Sequence, residues 1–243
     1  MNAFKLFAGF VIITVMISCS TTSNSILSNE TIRTDTQAVN TSGPSADYFS
    51  VMEENIKKLE NSDRVAENFK NFSATFERIA NTEKDQWQPL YYASLSYTYL
   101  AYVESDLNKV DEWGDKAELT LAKMLERNPV QSEVLVLKAM IAYSRIKVNF
   151  MERGMEYSIK AKEYLEEAEA LKDDNPRAYV LLAQSYFKAP PQFGRDVKKG
   201  CEYNQRALEL LEAEQKAEEA SGKYNINPHW GSDDAKRNMK YCK

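Results

Sequence analysis

The sequence predicts an all-α protein of about eight or nine helices that pair in antiparallel fashion. Helix-breaking residues are scarce, since the 243 residues include only 8 glycines and 7 prolines. No segment shows the sustained alternation of β-branched residues that is typical of a strand. Finally, prolines recur at comparable points, and helix-like runs follow Pro89, Pro129, Pro176 and Pro228.

Residues 1–18 have the pattern of a secretory signal. Lys5 supplies a positive charge, and residues 7–17 form an apolar run of eleven residues, which is short for a bilayer span of about 20 residues. The run ends in Met16-Ile17-Ser18-Cys19, which resembles the lipobox of bacterial lipoproteins, although Met16 replaces the usual Leu. The resemblance implies cleavage before Cys19 and lipidation of that residue. The alternative is an ordinary secretory signal in which Cys19 is incidental.

Residues 19–44 are rich in Ser, Thr and Asn and cannot bury enough apolar surface to fold, which predicts a flexible tether. The helical domain is then expected to span residues 45–243. Lipidation would place the protein in the bacterial cell envelope, and we expect the periplasmic face of the outer membrane because no acidic run follows Cys19. The net charge of −5 argues against a nucleic-acid partner, since phosphate neutralisation requires a basic surface.

Two amphipathic stretches come first in this domain. Apolar residues recur at helical spacing within residues 47–59 and again within residues 65–79, so each stretch has one face to bury. We interpret them as a pair of capping helices. Residues 230–241 are expected to form a closing helix, because the end units of a stacked helical array need caps.

The middle of the chain carries three similar helices. In each of them a small residue is followed four residues later by an aromatic residue, so both lie on one helical face. The small residue allows a partner helix to approach closely. The small residues are Ala93, Ala139 and Ala183, and the aromatic residues are Tyr97, Tyr143 and Phe187.

A second helix follows each of these three, and it too contains small residues. The pairs resemble the tetratricopeptide repeat, with Tyr203, Ala207 and Leu208 as the clearest match. The matching residues of the other units are Ala117, Leu125, Asn128, Ala161, Tyr164 and Ala168. The resemblance implies a right-handed superhelix that binds a protein or peptide. The prolines are separated by 40, 47 and 52 residues, more than the standard repeat of about 34, and Met124 replaces an Ala.

Aromatic residues are the first candidate binding site. In the tetratricopeptide family the position four residues after the small residue can face a concave groove. Tyr97, Tyr143 and Phe187 would then line such a groove, with Trp87 near one end, and would offer a large contact area at low entropic cost. The alternative is that these side chains belong to the core.

The loop of residues 188–196 is the second candidate. Its Pro-Gln-Phe193-Gly-Arg195 stretch resembles the T component of TRAP-type solute transport systems, although Arg195 replaces a usual Gly. That resemblance implies that the loop shapes a pore or groove for a small organic ligand. The alternative is a structural turn between two helices.

The remaining reactive residues do not suggest catalysis. Cys201 and Cys242 would lie in an oxidising compartment, where they form either a disulfide or two free thiols. His229 is the only histidine, so no metal site or cofactor is expected. We therefore predict a non-enzymatic, membrane-tethered binding or scaffold protein for a protein or peptide of the envelope. The alternative is an accessory protein of periplasmic solute transport that binds a small organic ligand.

Overall fold

A computed structural model describes residues 43–171 and 174–243, and in these ranges the protein contains nine α-helices and no strand. The all-α prediction is therefore confirmed. The predicted signal peptide, Cys19 and nearly all of the predicted tether lie outside the described residues. The helices are α1 (Tyr48–Glu60), α2 (Ala66–Thr82), α3 (Gln88–Val103), α4 (Leu107–Leu125), α5 (Gln131–Arg145), α6 (Phe150–Leu171), α7 (Pro176–Lys188), α8 (Val197–Ser221) and α9 (Ser232–Asn238).

Consecutive helices pack against each other. The most extensive contacts join α2 to α3, α3 to α4, α5 to α6 and α7 to α8, and the short connections make these neighbours antiparallel. The alanines that the sequence placed at the interfaces are fully buried, because a methyl group allows two helix backbones to approach closely. They are Ala93, Ala117, Ala139, Ala161, Ala168, Ala183 and Ala207.

Some helices begin where the Asn and Pro residues of the sequence predict, and others do not. Asn175 caps α7 by accepting a hydrogen bond from the backbone of Arg177 at 3.1 Å, with Pro176 as the first helical residue. Pro89 lies at the second position of α3. Pro129, in contrast, precedes α5 without starting it, because the left-handed backbone of Asn128 (φ 53°) turns the chain before the helix begins.

The C-terminal region differs from the predicted closing helix. Pro228 starts no helix, and Trp230 lies in an irregular segment, residues 222–231, which we call the C-terminal strap. Helix α9 begins only at Ser232 and continues into a 3₁₀ turn, Met239–Tyr241. Buried Ile226 anchors the strap in the core. The strap therefore passes across the other helices instead of extending the array.

A disulfide holds the C-terminal end in place. Cys201, near the start of α8, is bonded to Cys242, which follows the last 3₁₀ turn. Asn204 on α8 donates a hydrogen bond to the carbonyl of Ala235 at 3.0 Å, and Asn238 donates one to the Asn204 side chain at 3.0 Å. Helix α9 is thus attached to α8 by one covalent and two polar contacts.

The exposed surface is mostly on α4, α6 and α8, whereas α3, α5 and α7 bury most of their side chains. Within the described residues, no helix combines the length and the apolar character that crossing a membrane requires. The even-numbered helices therefore carry much of the surface available for binding.

Gly200 tests the packing around α8. A Cβ atom on Gly200 would lie 2.5 Å from the ring of Phe187, and that ring is stacked on Tyr241 with centroids 4.7 Å apart. We expect Gly200→Ala to lower the free energy of unfolding by about 1–3 kcal/mol, because the ring has little room to move. Urea denaturation followed by circular dichroism measures the change.

Gly154→Ala is the matched control. Its Cβ atom would meet only the Phe150 ring, at 3.6 Å, so the substitution adds helix propensity without a clash. We expect a gain of about 0.5–1 kcal/mol. Equal effects of the two substitutions would contradict the tight contact between Gly200 and Phe187.

Candidate functional site

The predicted groove aromatics pack against different neighbours. Tyr97 is half-buried and stacks on Trp113 of α4, with ring centroids 6.4 Å apart. Phe187 is buried beneath Tyr241. Trp87 is half-buried and meets Tyr91 edge-on, with centroids 6.0 Å apart. These contacts are typical of core packing, which was the alternative interpretation of the aromatic pattern.

The other predicted residues differ in exposure. Tyr143 is half-buried, and burial raises the pKa of its hydroxyl to about 12, although the Ser185 side chain acts in the opposite direction. Phe193 and Arg195 lie together on the loop between α7 and α8, where Phe193 is 58% exposed. Gly194 between them has a φ of 90°, a backbone conformation that favours glycine. Of the six predicted side chains, these two are exposed.

The C-terminal strap covers part of α1 and α3. Asn227 accepts hydrogen bonds from Gln88 at 3.0 Å through its side chain and from Tyr92 at 3.1 Å through its carbonyl. Trp230 donates a hydrogen bond to the Tyr91 hydroxyl at 2.8 Å. The strap is therefore attached to α3 by three hydrogen bonds.

His229 fixes the strap to α1. Its Nε2 lies 2.9 Å from a carboxylate oxygen of Glu60 and 3.2 Å from the Tyr224 hydroxyl, while its Nδ1 lies 2.8 Å from the Asn227 carbonyl. Burial disfavours the charged imidazole, but the hydrogen bond and charge of Glu60 outweigh that effect and raise the pKa of His229 above its ordinary value. Both ring nitrogens are thus engaged within the protein.

A buried ion-pair network joins α5, α7 and α8. Arg177 donates to Glu133 at 2.8 Å and to both carboxylate oxygens of Glu214 at 2.9 Å. Burial opposes the charge of Arg177, yet the two carboxylates raise its pKa, while burial raises the pKa of Glu133. A cavity of about 350 Å³ adjoins these groups. Because Arg177 bridges a carboxylate on each of the two other helices, we interpret the network as a structural link between three helices.

Lysine side chains border the aromatic pairs. Tyr186 and Tyr203 are stacked with centroids 5.7 Å apart. Lys162 of α6 lies 4.6 Å from the centroid of Tyr186, and Lys199 of α8 lies 4.9 Å from it. A hydrogen bond with Tyr186 raises the pKa of Lys199. Each ammonium group therefore lies within the range of cation–π attraction.

Lysines also border aromatic rings of α3 and α4. Lys116 lies 4.4 Å from the Trp113 ring and 6.0 Å from the Tyr97 ring, and Lys70 of α2 lies 5.8 Å from the Trp113 ring. These lysine contacts were not predicted from the sequence, because a charged residue on a helix gives no signal that distinguishes a ring contact from ordinary solvation.

An apolar surface on α6 is the clearest feature that sequence analysis missed. Met151, Met155 and Ile159 are 88%, 62% and 51% exposed, and their spacing of four residues places them on one side of the helix. We call these three residues the methionine face. Phe150, 65% exposed, adjoins it. The signal was present as a second apolar stripe beside the buried one of Ala161, Leu165 and Ala168.

Potential metal ligands are dispersed in the described part of the chain, where no group of three His, Cys, Asp or Glu residues could hold a metal ion. Both cysteines in that part are engaged in the disulfide. What the described surface offers instead is apolar contact area with neighbouring ammonium and guanidinium groups.

Comparison with solved structures reveals one informative likeness. The chain resembles the HusA haemophore from Porphyromonas gingivalis with 28% sequence identity and a TM-score of 0.71, covering 83% of this chain and 95% of that one. No protein-family model matches the chain. No curated protein matches it either. The likeness therefore extends over nearly the whole haemophore.

The contact of His229 with Glu60 predicts a pH-dependent stability. Because the pKa of His229 is raised in the folded protein, its contribution is complete below the unfolded pKa of about 6.5 and is lost as the pH rises through the folded value. Urea denaturation at a series of pH values should show this loss for the wild-type protein and a smaller one for His229→Gln. An unchanged profile in that variant would contradict the assignment.

Proposed function

We propose that this protein is a non-enzymatic, lipid-anchored binding protein of the bacterial cell envelope whose ligand is a haem-type tetrapyrrole. The observation that carries the proposal is the likeness to a haemophore at 28% identity across 95% of that chain. A haemophore is a carrier and not an enzyme. Of the two functions predicted from the sequence, this likeness favours a small organic ligand over a protein or peptide.

The protein's own chemistry suits a ligand that is held by its macrocycle. His229 has both ring nitrogens engaged, and the cysteines in the described residues are oxidised to a disulfide, so the imidazole and thiolate ligands of haem iron are occupied, and we propose that the exposed methionines contact the macrocycle and not the iron. A tetrapyrrole also offers a large flat apolar surface and carboxylate groups. Exposed methionines and phenylalanines provide dispersion contacts for the flat apolar surface, and lysines provide positive charge for the carboxylate groups.

The helix pairs are consistent with a tetratricopeptide-like superhelix, which we retain as part of the proposal. The buried alanines at the pair interfaces support it. In this arrangement the protein would hold its ligand near a membrane through lipid chains on Cys19, and the segment that follows would let the helical domain reach a partner that receives the ligand.

Binding of a tetrapyrrole without an iron ligand predicts that the metal is dispensable. We expect haem and metal-free protoporphyrin IX to bind with dissociation constants within about tenfold of each other, since loss of a coordinate bond would change affinity by far more than 1.4 kcal/mol. Titration of the purified protein followed by Soret absorbance and tryptophan quenching measures both constants.

His229→Ala is the matched variant, and we expect it to bind haem as the wild-type protein does. Haem binding that disappears in this variant would overturn the proposed mode of binding. Failure of the wild-type protein to bind either compound would overturn the proposed function.

Lipidation is tested independently at Cys19. We expect the wild-type protein, expressed in a bacterium with a fatty-acid label, to incorporate that label and to sediment with membranes, because two or more acyl chains give stable anchoring. Cys19→Ser should abolish both properties, whereas Cys201→Ser should leave them unchanged. Label retained in Cys19→Ser would contradict the lipobox interpretation.

A further inference from the structure

We infer that the methionine face of α6 and the loop between α7 and α8 form the two sides of a binding site for a flat, apolar dianion, a tetrapyrrole dicarboxylate. This inference rests on the proposed function and assigns its site. The floor of the site is the stacked pair Tyr186 and Tyr203.

Helical register places the methionine face beside that loop. Lys162 lies 4.6 Å from the centroid of Tyr186, so this side of α6 faces the C-terminal end of α7. Ile159 and Met155 precede Lys162 by three and seven residues, which puts them on the same side, one and two turns further on. Since α6 and α7 are antiparallel and α7 ends at Lys188, these turns extend past the end of α7, where the loop lies.

The dimensions and exposure suit a macrocycle. Met151 and Lys162 are eleven residues apart, or about 16 Å along the helix axis, a length comparable to a tetrapyrrole with its carboxylate arms. Phe193 on the opposite side is 58% exposed. Thioether and phenyl groups of this kind make favourable contacts with flat aromatic surfaces.

The charged side chains around the site determine which charge its ligand should carry. Residues 188–199 contain four cations and one anion in a chain whose net charge is −5. The single anion, Asp196, already accepts a hydrogen bond from the backbone of Lys199 at 2.9 Å as the cap of α8. Lys199 and Lys162 converge on Tyr186, and Glu166 pairs with Lys162 at 3.7 Å. The loop side of the site therefore carries more cations than anions, while the α6 side adds the carboxylates of Glu166 and of Glu169, which accepts a hydrogen bond from Tyr203 at 3.3 Å. The cations of the loop region are Lys188, Arg195, Lys198 and Lys199.

A charge placed on the methionine face tests this assignment. Metal-free protoporphyrin IX is titrated into the purified wild-type protein and into Met155→Glu, with fluorescence as the readout. We expect the dissociation constant of the variant to rise by about tenfold or more, because a carboxylate would have to be desolvated against the macrocycle and would repel its acid groups. Leu119→Glu is the matched control, since Leu119 is 60% exposed on α4, and it should bind within about twofold of wild type.

Binding of an uncharged ligand by the wild-type protein tests the role of the cations, and this test does not depend on the folding of a variant. The dimethyl ester of protoporphyrin IX lacks both negative charges, and we expect the wild-type protein to bind it about tenfold more weakly. Lys199→Glu should weaken binding of the diacid and leave binding of the ester nearly unchanged, whereas Lys123→Glu on α4 should affect neither.

The outcomes are distinguishable. A wild-type protein that binds no tetrapyrrole overturns the proposed function and the site together. Tight binding that is equal in wild type and Met155→Glu overturns the site alone, and equal affinities for diacid and ester overturn the role of the lysines. If Met155→Glu instead abolishes binding to phosphatidylglycerol vesicles and leaves tetrapyrrole binding intact, the methionine face is a membrane-docking surface and the inference is wrong.

Discussion

Close approach between paired helices is the constraint on which the rest of the structure depends. Paired helices carry fully buried alanines on both members, such as Ala93 on α3 and Ala117 on α4, or Ala139 on α5 and Ala161 on α6. A larger side chain at these points would force the backbones apart and misplace every residue further along both helices. The positions of Lys162 on α6 and Lys199 on α8 relative to the Tyr186 ring on α7 follow from this spacing, since these ammonium groups and the ring lie on different helices.

The C-terminal strap determines which surfaces remain for a ligand. Hydrogen bonds to Gln88, Tyr91 and Tyr92 attach it to α3, and the disulfide attaches the segment that follows to α8. Phe187, one of the residues predicted to line a groove, lies under Tyr241 as a consequence. On α6, in contrast, the methionine face is open to solvent beside a basic loop. The proposed site therefore lies on α6 and the loop and not beneath the strap.

Local patterns predicted most of the fold. The alanine spacing identified the paired helices, and the Asn175-Pro176 signal located the start of α7, because both depend on contacts within one or two helical turns. The strap could not be predicted in this way. Asn227-Pro228 has the same local signal as Asn175-Pro176, but Tyr92 and Gln88, more than a hundred residues away in the sequence, hold it in an irregular conformation. Tertiary contacts therefore override the local preference at that point.

The candidate site was predicted less completely than the fold. Phe193 and Arg195 were identified from their loop, whereas Met151 and Met155 were not, because an apolar stripe predicts burial until the structure shows which neighbours are present. The stripe of Ala161, Leu165 and Ala168 has neighbours on α5 and α7, and the methionine face extends beyond the end of α7. The length of α7 relative to α6, which the sequence predicts poorly, therefore decides which of the two stripes is exposed.

The ligand is placed on the methionine face and not beneath the strap. NMR spectra of the protein with ¹³C-labelled methionine methyl groups test it directly, because a bound macrocycle shifts the resonances of adjacent methyls through its ring current. We expect the addition of metal-free protoporphyrin IX to shift the signals of Met151 and Met155 and to leave those of the fully buried Met52 and Met124 unchanged. Shifts confined to Met52 or Met124, with Met151 and Met155 unaffected, would contradict it.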